Sequence, residues 1–163
     1  MNNLYFVSPE IFISLAVMFL LILGVFIKNS SNLIHNLSMI FLLITGILIL
    51  NIPQETSITL FSDSYIIDNL SFYMKTLTIL GGVVVLSISK KYLKIFNIFL
   101  IEYPILILSS ILGMMVMISS NDLMVFYVGL ELQSLALYVL ASFNRDQLKS
   151  TESGLKYFVL SAL

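Results

Sequence analysis

Apolar side chains dominate six stretches of this sequence, and the polar residues between them are few. The first stretch runs from about Pro9 to Ile27, the second from about Leu33 to Leu50 and the third from about Phe72 to Ser89. A fourth, about Pro104 to Ser119, is separated from a fifth, about Leu123 to Phe143, only by the tight turn SSND, which makes the two an antiparallel hairpin. Each of the five approaches the roughly 20 residues a helix needs to cross a bilayer. Pro9, Pro53 and Pro104 all fall at breaks or first helical turns, where the missing N–H costs nothing. The pattern predicts an all-α fold, a polytopic transmembrane helix bundle of five full spans plus the start of a sixth, in a single membrane domain over residues 1–163.

The sixth stretch, Glu152 to Leu163, covers only about 18 Å at 1.5 Å per residue against a hydrocarbon core of roughly 30 Å. Backbone groups left open in hydrocarbon cost several kcal/mol each, so the expectation is a separate chain continuing the bundle after Leu163. Within the spans, Ser109 and Gly113 form a small-xxx-small pair, and Gly81 with Gly82 opens a notch in the third. Tyr5, Tyr65, Tyr73, Tyr92 and Tyr103 lie near the predicted span ends, where an interfacial aromatic belt would put them.

Composition agrees with the pattern. Hydrophobic residues make up 59% and charged residues 10%, with a mean hydropathy of +1.04, a mix outside that of soluble domains. The formal charge of −1 leaves no basic patch for nucleic acid. There is no cysteine, which excludes disulfides, thiolate catalysis and iron–sulfur ligation, and one histidine leaves no pair for haem or a typical zinc site. The seven glycines form no phosphate-binding loop. Any electron carrier is therefore expected on another subunit, with no metal and no cofactor on this chain. The N-terminus lacks a basic segment before its long apolar run, so it is expected to be a retained helix.

Basic residues set the expected orientation, since Lys and Arg resist translocation. Lys28 follows the first span, Lys90, Lys91 and Lys94 the third, and Arg145 and Lys149 the fifth, which is six of the eight Lys and Arg. The N-terminus is then outside, and the odd loops face the cytoplasm or matrix.

Glu131 is the exception in the run VGLELQSLALYVL, about 12 Å into the fifth span and close to the midplane. A charge there costs roughly 2.5 to 3.5 kcal/mol on insertion scales. Helical spacing puts Tyr127, Glu131, Ser134 and Tyr138 on one stripe, with Gly129 and Gln133 beside it. Such a stripe suits a proton path, because desolvation raises a carboxyl pKa and an approaching cation lowers it. The plainer reading is a neutral acid bonded to a neighbouring helix. Lys156 lies about 6 Å into the sixth span, too far along the axis to face Glu131, and is either a second relay group or the partner of Glu152 one turn back. Lys75 is expected to snorkel to the outer interface with Asp68 as companion, His35 to be an interfacial polar anchor, and Asp122 to cap the fifth helix.

The segment GLELQSLALYVLASFNRDQLKSTESGLKYFVLSAL, Gly129 to Leu163, resembles the subunit 2 family of antiporter-like subunits of proton-pumping NADH:quinone oxidoreductase, respiratory complex I. The stretch YIIDNLSFYMKTLTILGG is similar to the third helix of that family, and the likeness extends from about Tyr65 onward. The resemblance implies a membrane-arm subunit in which Glu131 joins a chain of ionisable groups used for proton translocation, and Lys156 matches a lysine of the sixth helix. It also implies a longer bundle, with broken helices and further lysines beyond the sixth helix, so this stretch carries at most part of one half-channel. Implied partners are the other complex I membrane subunits, the continuing chain and lipids. Flavin, iron–sulfur clusters and quinone are implied on other subunits. Heavy use of Ile, Leu, Phe, Asn, Ser and Lys without Trp resembles products of AT-rich mitochondrial genomes, giving a mitochondrial inner membrane location, with a bacterial plasma membrane as the alternative. The rival functions are a subunit of a related cation/proton antiporter or membrane hydrogenase, and a non-catalytic membrane scaffold.

Overall fold

The computed structural model describes residues 3–27, 31–53, 57–96 and 98–162. A short helix α1 (Asn3–Phe6) leads into α2 (Ser8–Phe26) and α3 (Ser31–Leu50); a small hairpin, β1 (Ile58–Leu60) and β2 (Tyr65–Ile67), precedes α4 (Asn69–Ile95), α5 (Glu102–Ile118), α6 (Leu123–Ala141) and α7 (Leu148–Ala162). The long helices alternate direction, and their outward faces carry exposed Phe26, Ile88 and Leu123, as a lipid-facing surface requires. This is a multi-pass membrane bundle, as the apolar pattern implies. Lys28 and Leu163, on which expectations about orientation and continuation rest, lie outside the described residues.

Two helices begin three or more residues before the apolar stretches. α4 has 27 residues because Asp68 closes a capping box with Ser71, its carboxylate accepting from the Ser71 N–H at 2.7 Å while the Ser71 hydroxyl accepts from the Asp68 N–H at 2.9 Å. At its other end Lys90, Lys91 and Lys94 prolong it; lysine forms helices well and a cation suits a C-terminus. α7 takes Leu148 to Thr151 as its first turn, which hydropathy alone does not register.

The core lies among α2, α3, α4 and α5, where Ile13, Leu20, Leu42, Ile49, Leu86, Leu108, Ile111 and Met115 are almost fully buried. Gly82 accommodates the side chains of Ile111 and Leu42, so a Cβ there would displace them, whereas Gly81 has no neighbour within 4 Å. α6 joins this core through one seam. A Cβ on Gly113 of α5 would lie 2.6 Å from the Gln133 nitrogen, and one on Gly129 of α6 would lie 2.8 Å from the Met117 nitrogen. The backbones therefore touch, and only glycine fits at the crossing. Ser109, the other half of the expected small pair, instead donates to the Ile105 carbonyl of its own helix at 3.0 Å. Among the described residues α7 packs chiefly on α6: Gly154 meets Ser142, and Tyr138 stacks edge-on against Tyr157 and Phe158.

The hairpin is an addition to the all-α expectation. Ile58 pairs with Ile67, Thr59 with Ile66 and Leu60 with Tyr65. Its turn places Phe61, Ser62 and Asp63 at φ of 54°, 54° and 67°, left-handed values that β-carbons resist. Asn121 holds this turn from the α5–α6 connection, donating its side-chain amide to the Asp63 carbonyl at 2.7 Å and its N–H to the Ser64 carbonyl at 3.0 Å. Phe6, Ile52, Leu60, Tyr65 and Ile67 form a second small core beneath it. Tyr65 is thus buried, and the expectation that it belongs to an aromatic belt is corrected; Tyr5, Tyr73 and Tyr92 are exposed near helix ends.

Candidate functional site

Glu131 is half-buried on α6, and its position follows from the glycine seam. Gly129 and Ala136 are the buried positions of α6. At 100° per residue Glu131 points roughly 160° away from Gly129, so its carboxyl faces away from α5 and the packed core. Its stripe is partly lined: the Ser134 hydroxyl bonds back to the Glu131 carbonyl at 3.1 Å, and Tyr138 meets α7. Tyr127, one turn earlier, is exposed. α7 runs antiparallel along this side of α6, with Ser150 and Ser153 donating to the Ala141 carbonyl and Tyr157 reaching Tyr138. The level of Glu131 lies about 10 Å beyond Tyr138, two turns further along α6.

Lys156 does not meet Glu131. Its ammonium bonds Glu152 at 2.6 Å, one turn back on α7, and both side chains are exposed. Asp122 caps α6 through a long contact, 3.5 Å, to the Met124 N–H.

Two expectations are corrected. Lys75 does not snorkel and does not pair with Asp68, whose carboxylate is engaged in the capping box. It is buried, and its ammonium lies 2.6 Å from Glu10 Oε1 across the α2–α4 gap. The Tyr65 hydroxyl donates to the same oxygen at 2.7 Å and accepts from Lys75 at 3.1 Å. Glu10, Tyr65 and Lys75 are about one-twentieth exposed. Burial, the Glu10 charge and the hydrogen bond to it all push the Tyr65 phenol above its ordinary value, so it stays a donor. Glu10 Oε2 is buried with no hydrogen-bond partner among the described residues. His35 is likewise no interfacial anchor: it is fully buried near the N-terminal end of α3, 5.7 Å from the Phe99 ring, with neither ring nitrogen hydrogen-bonded among the described residues. A buried side chain is shielded by packing from α4 and the α4–α5 connection, which hydropathy along α3 does not show.

Glu10 is the residue that reading the sequence passes over. The signal is one of depth: Lys75 lies in the second turn of α4, and Glu10 lies in the first turn of α2 at the same end of the bundle. A cation in an apolar span calls for an acid at its own depth.

A family described as NADH:quinone oxidoreductase/Mrp antiporter, TM matches residues 120–163, the part that holds α6 and α7. NADH-quinone oxidoreductase subunit N of Pelagibacter ubique is 77% identical over the whole chain, and that of Rhodospirillum rubrum 46% identical over 95% of it. The chain is a relative of NADH-quinone oxidoreductase subunit N. It spans about a third of the relatives it matches, 35% of the Pelagibacter protein and 32% of the Rhodospirillum one. The fold also recurs in a chain of the respiratory complex I from Thermus thermophilus with bound Aureothin, with a TM-score of 0.78 at 23% identity, over 94% of this chain and 33% of that one. The resemblance read from ELQSLALYVL and STESGLKYF therefore holds. Glu131 and the glycine at its seam both lie inside the family match.

Proposed function

We propose that this chain supplies part of a proton-translocation pathway in the membrane arm of NADH:quinone oxidoreductase, with Glu131 as its ionisable group. The observation that supports this is the direction of Glu131: a mid-membrane carboxyl turned away from the core it could have paired with, on a polar stripe partly covered by α7. Retaining such a group costs several kcal/mol in hydrocarbon, and intramembrane carboxyls are kept mainly where ions move. Lys156, tethered to Glu152 at the basic end, takes the part of an entry group. The remaining helices of such a subunit come from sequence beyond this stretch, on a continuing or a second polypeptide. Other membrane subunits of the complex and lipids are its partners, and flavin, iron–sulfur clusters and quinone sit elsewhere in the complex. Because the relatives named are bacterial, the plasma membrane is favoured over the mitochondrial inner membrane.

The test is Glu131→Gln in the assembled complex, reconstituted in sealed vesicles. NADH oxidation by quinone should continue while proton movement is lost. Full pumping by the variant refutes the reading, and failure to assemble favours a scaffold instead. Lys156→Met should weaken pumping less than Glu131→Gln.

A further inference from the structure

Glu10, Tyr65 and Lys75 take no part in the pathway assigned to Glu131, yet they form the most deeply buried ionic cluster among the described residues. A buried ion pair is weakly stabilising at best, because desolvating two charges offsets most of their attraction, and apolar side chains of similar volume often serve as well or better. Two features go beyond a fastener. Glu10 Oε1 accepts from both Lys75 and Tyr65, while Oε2, also buried, has no donor among the described residues. An unsatisfied charged acceptor is expensive, and either a proton or a water relieves it. Beside Lys75 lies a cavity of about 20 Å³, lined by Ile49, Ile67, Phe72, Ser71 and Asp68 as well as Lys75 itself. That is room for one water, which needs about 10 to 15 Å³ and polar partners. Lys75 and Asp68 both line it, so it joins the second turn of α4 to the helix start beside the hairpin; Glu10 lies behind Lys75, outside the lining, and exchanges with the cavity only through the Lys75 contact.

We propose that Glu10 and Lys75, bridged by Tyr65, are a second proton-exchange site of this chain, loaded through the cavity from the hairpin side of the membrane. This rests on the proton-translocation reading but not on Glu131. In the resting pair the carboxylate and the ammonium cancel. Lys75 passes a proton to Glu10 across their 2.6 Å contact, leaving a neutral amine and a carboxylic acid. The amine then takes a proton from a hydronium formed at the cavity water, returning water and restoring the ammonium. The cluster now holds one proton more than before, on Glu10, and the reverse steps release it. Tyr65 stays protonated throughout and keeps the acceptor oxygen oriented.

The experiment uses the assembled complex in sealed vesicles with three variants: Lys75→Met, the double variant Glu10→Gln with Lys75→Met, and Glu131→Gln. NADH oxidation, protons moved per NADH, and the infrared carbonyl band of protonated carboxylic acids during turnover are followed together. Lys75→Met alone strands a buried carboxylate and is expected to assemble poorly. The double variant removes both charges, and is expected to assemble and to oxidise NADH as the wild type does. It should move fewer protons per NADH and lose a carboxylic acid band that Glu131→Gln keeps. A double variant with the wild-type ratio and band, or one that fails to assemble, makes the cluster a structural fastener and overturns the proposal. If Glu131→Gln pumps normally while the double variant loses its band, the reading of Glu131 fails and this site stands.

Discussion

At the residue scale, the weight falls on charges whose partners are distant in sequence. Glu10 and Lys75 are 65 positions apart and meet only because α2 and α4 present their same-side ends to one gap. Removing one partner of such a pair leaves a buried charge uncompensated, at a cost of about 3 to 5 kcal/mol, whereas removing both can be nearly neutral. Lys75→Met should accordingly lower the unfolding temperature of the protein in lipid nanodiscs far more than the double variant with Glu10→Gln. Equal losses in the two would show that the pair does not act as a unit. A sequence marks each such charge but not its mate. Glu131 and Lys75 stand out as ionisable residues in apolar runs, yet the mate of Lys75 had to be matched by depth rather than by proximity, and Asp68, the nearer acid, is taken by its own helix cap.

At the element scale, the helices were legible because hydrocarbon leaves few other choices for a long apolar run. The hairpin was not: its strands have three residues each, and its left-handed turn, Phe61 to Asp63, holds none of the glycine or asparagine that usually signals one. Ser62→Gly should relieve one strained position and raise stability by about 0.5 to 1 kcal/mol, which thermal unfolding would detect; a loss would mean that the hydroxyl serves something the turn needs. The glycines divide as sharply. Gly113→Ala and Gly129→Ala force a Cβ against the facing backbone and should cost about 1 to 3 kcal/mol each, separating α6 from α5. Gly81→Ala, with open space around it, should be tolerated or slightly stabilising. A Gly129→Ala protein as stable as the wild type would contradict the backbone contact on which the direction of Glu131 depends.

At the scale of the whole molecule, the two ends of the bundle differ in kind. One end gathers the cations: Lys90 donates to Asn36 at 2.7 Å, Lys91 and Lys94 follow on the same helix, and Arg145 lies 3.6 Å from Glu102. The other end is closed by the hairpin, the α5–α6 turn and the carboxylates Asp63, Asp68 and Asp122. Cations hold their side of a membrane against translocation while carboxylates contribute little to orientation, so the hairpin end should face outward. The cavity beside Lys75 is lined at that end by Asp68, Ile67 and Pro53, so under the proposal the orientation decides whether the Glu10 site exchanges protons with the outer or the inner compartment. The chain has no cysteine, so single cysteines can report on it. In intact bacterial cells a membrane-impermeant maleimide should label Ser62→Cys, in the exposed hairpin turn, and spare Lys91→Cys until the membrane is opened. The reverse pattern would turn the bundle over, put the cations outside against the charge rule, and send the protons of the Glu10 site to the cytoplasmic side.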